Sequence, residues 1–334
     1  MRPMKVLVTG ADGFIGSHLV QELVGEGHEV TALSQYNSFN SQGWLDSLPL
    51  EVQGEFRIVS GDVRDSSFMN QAVGGHDRVA HLAALIAIPY SYSAPESYLA
   101  TNVLGTLNVL EACRANNIER LIHTSTSEVY GSAQYVPIDE RHPLVAQSPY
   151  SASKIAADQL AYSYWSSFSL PVTTIRPFNT YGPRQSQRAF IPSVIVQLLA
   201  GLSELRLGSL QPTRDLTFVA DTARGFALAL KSDEGVGETF NMGSGFEISM
   251  EQVVDMLCEI SGQSPTVTRD ADRIRPDSSE VERLWSDSAK MRKTFGWEPG
   301  FSGPEGLRRC LETTYAWFRD NLQLGGYDPT KFVV

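Results

Sequence analysis

The sequence predicts an α/β protein: a doubly wound parallel sheet with a smaller C-terminal α/β lobe. Three observations lead there. Short β-branched runs alternate with longer stretches of helical periodicity through the first half of the chain. Such strand–helix–strand repetition implies parallel strands covered on both faces. A glycine-rich turn separates the first strand candidate from the first helix candidate, and after "NTYGPRQ" (179–185) the chain turns richer in Pro, Gly and Arg.

The strand candidates are "KVLVT" (5–9), "EVTAL" (29–33), "FRIVS" (56–60), "RVAHLA" (78–83), "RLIHTST" (120–126) and "PVTTIRPF" (171–178). Phe14-Ile15, Leu19-Val20 and Leu23-Val24 recur at helical spacing. So do Tyr98-Leu99, Val103, Leu107 and Leu110, after a helix start at Pro95. "LTFVAD" (216–221) and a helix through Leu230 return to the first domain, and a further helix spans 249–262. Residues 1–178, with a return segment of about 213–242, therefore form a dinucleotide-binding domain, and 179–212 with 243–334 a substrate-binding lobe. The cleft between them is the natural site.

At 334 residues, with 42% apolar and 19% charged residues, the composition is that of an ordinary globular protein. A net charge of −11 argues against nucleic acid or an anionic membrane as partner, while leaving room for local arginines to hold a small anion. Cys113, Cys258 and Cys310 lack CxxC spacing and read as reduced thiols; no His/Cys/Asp cluster has metal spacing. No apolar run is long enough to span a bilayer, and the start does not read as a signal sequence, so the expected location is cytoplasmic.

"VTGADGFIGSHL" places Gly10, Gly13 and Gly16 between a strand and a helix that opens at Phe14 and Ile15. A tight turn needs residues without Cβ, and so does close approach of a pyrophosphate to backbone N–H groups at a helix N-terminus. The spacing G-x-x-G-x-x-G differs from G-x-G-x-x-G, but its flanks match the context of dinucleotide binding. The second strand ends at Ser34, followed by Gln35 and Tyr36, with neither the acid of an NAD site nor the Arg of an NADP site. The absence of a nearby cation favours NAD, with NADP still open.

"SPYSASK" puts Tyr150 and Lys154 on one helix face. A phenol is a poor base at neutral pH, and a neighbouring ammonium is expected to lower its pKa so that it takes a proton from a sugar hydroxyl. A second Y-x-x-x-K, Tyr327 and Lys331, has no helix context and reads as coincidence.

Taken with "TGADGFIG", "GDVRD", "HLAA", "STSEVYG", "RPFNTYGPR", "RDLTFVAD" and "GWEP", the chain resembles the extended short-chain dehydrogenases/reductases that modify nucleotide sugars. The resemblance covers nearly the whole chain and implies a Rossmann-type cofactor domain, a C-terminal substrate lobe and a homodimer. It implies Asp62 and Val63 near the adenine, Leu82, Ala83, Ala84 and Pro177 beside the cofactor, and Thr126 completing a triad with Tyr150 and Lys154. Among these enzymes it is most similar to the N-acetylhexosamine 4,6-dehydratases of legionaminic acid-type pathways, sharing "QYNSFN", "LIAIPYSY" and "STSEVYG".

In such lyases, oxidation at C4 of the sugar acidifies C5–H. A base removes that proton, the C6 hydroxyl leaves, and hydride returns to C6 with no net redox change. A carboxylate suits the task, and Glu128 is the candidate; Ser127 stands where many relatives have an acidic Asp. Uronate decarboxylases share a Ser-Glu pair but carry an Arg late in the chain, where Leu284 stands here beside Arg283. A 4-epimerase needs no carboxylate at 128, and a silent cofactor-binding regulator would not need Tyr150 and Lys154. The apolar "LIAIP" (85–89) suits an acetamido methyl. For a diphosphate, Arg188, Arg214 and Arg275 are the candidate forks; by resemblance Arg214 and Arg275 meet the diphosphate, and Asn179 meets the sugar or its phosphate.

Overall fold

The structure, a computed structural model, describes residues 3–273 and 276–329. Seven strands form one parallel sheet: β1 (Lys5–Thr9), β2 (Glu29–Gln35), β3 (Phe56–Gly61), β4 (Arg78–His81), β5 (Arg120–Thr124), β6 (Val172–Pro177) and β7 (Thr239–Met242). Their order is β3-β2-β1-β4-β5-β6-β7. The order reverses between β1 and β4, so the connections leaving those strands diverge and open a crevice at the carboxyl edge. The fold is the expected Rossmann-type doubly wound sheet.

The alternation of β1 shows why both faces are covered. Val6 and Val8 point into a core with Leu19, Val20 and Leu23 of α1 (Phe14–Gly25). Leu7 points the other way, into a core with Leu110 of α2 (Gly105–Ala115) and Ala161 of α3 (Pro149–Phe168). None of these β1 side chains is exposed. Burial on two faces is the condition under which a parallel strand reads as a continuous apolar run.

The helix expected from Pro95 is broken in character. It begins as Pro95–Tyr98, passes through a π-helical turn at Leu99–Leu104 and continues as α2. "LTFVAD" is divided: Thr217–Phe218 pair with Thr180–Tyr181 outside the central sheet, and Val219 opens α4 (Val219–Lys231). The returning elements are α4, whose Phe226 and Leu230 pack with α1, and the edge strand β7.

A second core joins helix Phe190–Leu199, α5 (Met250–Ser261) and α6 (Gly303–Asn321) through Val194, Leu198, Val253, Leu257, Leu311 and Phe318. Residues 289–297 depart from the division read in the sequence. Met291, Phe295 and Trp297 pack in the core of the central sheet, against Phe240 and Met242 of β7, not in the second lobe. Among the described residues no helix is long and apolar enough to cross a membrane, and no group of His, Cys, Asp and Glu is placed to hold a metal.

Candidate active site

Between Thr9 and Phe14 the chain turns from β1 into α1. Gly10 lies at φ +65°, and a Cβ there would meet the Ala83 backbone nitrogen at 2.7 Å. A Cβ on Gly16 would overlap the Gly10 carbonyl oxygen. Gly13 is the N-cap and supplies no side-chain cap, so the first-turn N–H groups of Phe14, Ile15 and Gly16 are left for an anion at the positive end of α1. The turn is tied to the next strand by Thr9, whose Oγ1 accepts the backbone N–H groups of Leu82 and Ala83, both at 3.2 Å. His81 is bonded to the same hydroxyl at 2.8 Å; burial drives its pKa well down, so it is a neutral scaffold group.

A cavity of about 660 Å³ runs from this turn along the sheet edge into the second lobe. Gly10, Gly13, Phe14, Ile15 and Gly16 line its first part. Asp62 and Val63 flank one side, and Leu82, Ala83, Ala84 and Pro177 lie farther along. Ser34 is a correction: it is 1% exposed and lines no part of the cavity. Its hydroxyl is covered by Gln42, to which it donates, and by Ser60, its register partner on β3. Gln35 and Asp12 take its place on the wall, and Asp12 accepts the Gln35 N–H at 3.0 Å. Burial raises the Asp12 pKa. Arg64 also reaches the wall, but Asp62 grips it through Nε and Nη2, which holds the Asp62 carboxyl below its ordinary range.

α3 begins with Ser148 as N-cap in a reciprocal capping pair with Ser151, then Pro149, a strong start signal. Tyr150 and Lys154 follow on the same helix and both line the cavity. Their electrostatics differ from the sequence expectation. Burial pushes the Tyr150 phenol above its ordinary pKa, the Thr126 hydrogen bond opposes this, and Glu128 adds to it. The Lys154 Nζ donates to the Thr124 carbonyl oxygen at 2.6 Å, and burial lowers its pKa to about 8. In the cofactor-free protein the phenol is therefore protonated.

That burial has a measurable consequence. Lys154 has a pKa of about 8 in the folded chain, against the 10.5 of an ordinary lysine. The unfolded chain holds the extra proton between those values, so wild-type stability rises with pH across that window. The stability difference between cofactor-free Lys154→Met and the wild type is expected to shift in the wild type's favour by up to about 3 kcal/mol as pH climbs through the window. Denaturant titrations of both proteins at neutral and alkaline pH measure it.

β5 ends at Thr124 and delivers "STSEVYG" to the same edge. Thr126, extended at φ −161°, caps a single turn over Ser127–Tyr130 by accepting the Glu128 N–H at 3.2 Å. Capping thus falls to Thr126, while Ser127 and Glu128 are both on the cavity wall, Ser127 buried and Glu128 half-buried. Glu128 is close enough for its charge to act on the Tyr150 phenol.

In the second lobe, Asn179, Arg188 and Arg214 line the far part of the cavity. The Arg214 Nη1 donates to the Thr213 carbonyl at 2.9 Å and its Nη2 to Glu280 at 3.4 Å. Arg275 lies outside the described residues. Arg273, not anticipated from the sequence, lines the cavity and donates to Ser193 Oγ at 2.8 Å. The Asn179 Oδ1 and Gln185 Oε1 atoms are buried on cavity-lining residues without a hydrogen-bond partner among the described residues. Orphaned acceptors of this kind suit a ligand that donates.

Residues 7–310 match the family described as GDP-mannose 4,6 dehydratase. A dTDP-glucose 4,6-dehydratase of Actinoplanes sp. is 34% identical over 95% of this chain and 98% of its own length. DesIV, a dTDP-glucose 4,6-dehydratase from Streptomyces venezuelae solved as a double mutant with NAD and DAU bound, superposes with a TM-score of 0.87 at 30% identity, covering 96% of this chain and 98% of that one. UDP-glucuronic acid 4-epimerase from Bacillus cereus, solved with UDP-glucuronic acid and NAD, gives 0.86 at 30% identity, covering 95% and 99%. A glycine turn built for a pyrophosphate, a Thr-Tyr-Lys constellation at the sheet edge and matches over almost the full length agree: the chain belongs to the extended short-chain dehydrogenase/reductase family of nucleotide-sugar dehydratases and epimerases.

Proposed function

We propose that the protein is an NAD-dependent 4,6-dehydratase acting on a nucleotide-activated N-acetylhexosamine, carried by UDP or GDP, and yielding the 4-keto-6-deoxy sugar. The observation that carries this reading is Glu128, a carboxylate on the cavity wall beside Tyr150 and Thr126. Proton exchange at O4 needs Tyr150 alone; removing a proton from C5 needs a second base.

The cofactor assignment is supported by the glycines at 10 and 16, where a Cβ would strike the backbone of Ala83 and Gly10, so that only glycine closes the tight turn that leaves the α1 N-terminus open to a pyrophosphate, and by Asp12 and Asp62 at the adenosine end. A ribose 2′-phosphate would meet these carboxylates, and the Arg64 guanidinium there is already neutralised by Asp62. Bound NAD supplies the hydride acceptor at C4 and the donor at C6. Tyr150 takes the O4 proton, with Thr126 orienting the phenol and Lys154 providing positive charge behind it. Glu128 then takes the C5 proton as the C5–C6 double bond forms and passes it to the C6 hydroxyl, which leaves as water; when hydride returns to C6, C5 regains a proton from solvent. Ser127, adjacent and buried, positions or relays the proton passed to the C6 hydroxyl, since an alcohol is a weak acid.

Dehydration is favoured over decarboxylation by two late residues. Leu284 is 0% exposed in a core with Val129, Tyr130 and Phe178, and Arg283 turns outward to Glu247 at 2.7 Å. Neither offers a cation to a sugar carboxylate. Leu85, Ile86, Ala87, Ile88 and Pro89 form an apolar wall suited to an acetamido methyl. The second reading, 4-epimerisation, is favoured by the likeness to the B. cereus enzyme. A panel of UDP-, GDP- and dTDP-sugars analysed by mass spectrometry separates them: loss of water supports dehydration, loss of CO2 decarboxylation, and unchanged mass with altered stereochemistry epimerisation.

The protein is further proposed to form a homodimer through Leu99 and Leu104 near α2 and Tyr162 and Phe168 on α3, all large apolar side chains exposed on neighbouring helices. Leu104→Arg with Tyr162→Arg is expected to yield a folded monomer in sedimentation experiments; an unchanged sedimentation coefficient refutes this face.

A further inference from the structure

We infer that Arg176 is a positioning residue that locks the elimination turn to the redox helix, so that oxidation at C4 and proton removal at C5 act on one sugar pose. The inference rests on the assignment of Glu128 as the C5 base. Arg176 lies on β6 and is 5% exposed. Its guanidinium divides between two partners. Nε and Nη2 donate to Asp158 Oδ2 at 3.1 and 2.9 Å, and Nη1 donates to the Tyr130 hydroxyl at 2.9 Å. The guanidinium also sits 5.0 Å from the Tyr130 ring centroid.

The two partners belong to the two halves of the chemistry. Asp158 is one helical turn beyond Lys154 on α3, the helix that carries Tyr150. Tyr130 ends the turn that carries Ser127 and Glu128. Each partner is itself fixed. Asp158 accepts from Ser125 Oγ at 2.8 Å and pairs with His123 Nε2 at 3.2 Å. The Tyr130 hydroxyl donates to Asn241 Oδ1 at 2.6 Å, and Asn241 Nδ2 donates to the Ile138 carbonyl at 2.9 Å. A planar fork with fixed donor directions suits such a link between two acceptors, whereas an ammonium is a point charge. Neither Tyr130 nor Arg176 lines the cavity, so their effect on chemistry must pass through the groups they hold.

Tyr130→Phe removes the hydroxyl that joins the turn to Arg176 and keeps the ring. In single turnover the appearance of reduced nicotinamide reports C4 oxidation, and product mass reports water loss. The expected result is oxidation near the wild-type rate with elimination slowed roughly tenfold, the scale of a small misplacement of a reacting group. Arg176→Lys, which cannot hold both partners, is expected to give the same split and serves if Tyr130→Phe does not fold. Both steps unchanged, or both lowered in proportion, overturns the inference, since a purely structural role lowers both together. Glu128→Gln in the same assay tells the failures apart. If it eliminates at the wild-type rate, the base assignment falls and takes the lock with it. If it blocks elimination while Tyr130→Phe leaves both steps alone, the base stands and only the lock is lost.

Discussion

Glu128→Gln is expected to oxidise its nucleotide sugar at C4 and then stop. The amide keeps the shape of the side chain and its backbone N–H bond to Thr126, so the turn is retained. It cannot accept the C5 proton, and elimination is expected to fall by about 100-fold or more. Absorbance of the reduced nicotinamide should rise in the first turnover and persist, while mass spectrometry finds little 4-keto-6-deoxy product. The substitution also removes a negative charge that raises the Tyr150 pKa, so the oxidation step is expected to be no slower than in the wild type. Normal turnover by this variant would refute the assignment of the base.

Tyr150→Phe should fail one step earlier. The ring remains packed against Ile88 and Tyr98, so the protein is expected to fold and retain the cofactor. Without the phenol no group takes the O4 proton, and oxidation is expected to drop about 100-fold or more, with no reduced nicotinamide accumulating. The pair of variants is diagnostic because the same absorbance signal moves in opposite directions. If Tyr150→Phe accumulated reduced cofactor, the phenol would not be the group that accepts the O4 proton.

Much of the framework is legible in the sequence because it follows from local periodicity. β1 to β6 and the α1 turn announce themselves through β-branched runs, helical spacing and glycines that tertiary crowding makes necessary. The direction of Ser34 is not legible, because a strand's last residues alternate between faces. Polarity at a strand end does not reveal which face it takes, and here Ser60 and Gln42 satisfy the serine away from the cavity. Asp12, Gln35 and Arg273 escape a sequence reading for a related reason, since each reaches the cavity through a loop or strand end that only the folded chain brings there. The Tyr150 environment departs from expectation because spacing places Lys154 on the right face without saying where its ammonium points. Only the fold shows it donating to a carbonyl. Residues 289–297 read as part of a C-terminal lobe because sequence distance is a poor guide to which core an apolar residue joins.

The bond from Lys154 to Thr124 carries a consequence for how this chain tolerates change. Its acceptor is main chain, so any residue that keeps β5 in register preserves the lysine's aim, whatever side chain stands at 124. The vulnerability moves from the identity of one residue to the alignment of a strand. A single-residue insertion or deletion within 120–124 would present a different carbonyl to the ammonium and send the side chains on one side of the change to the opposite face.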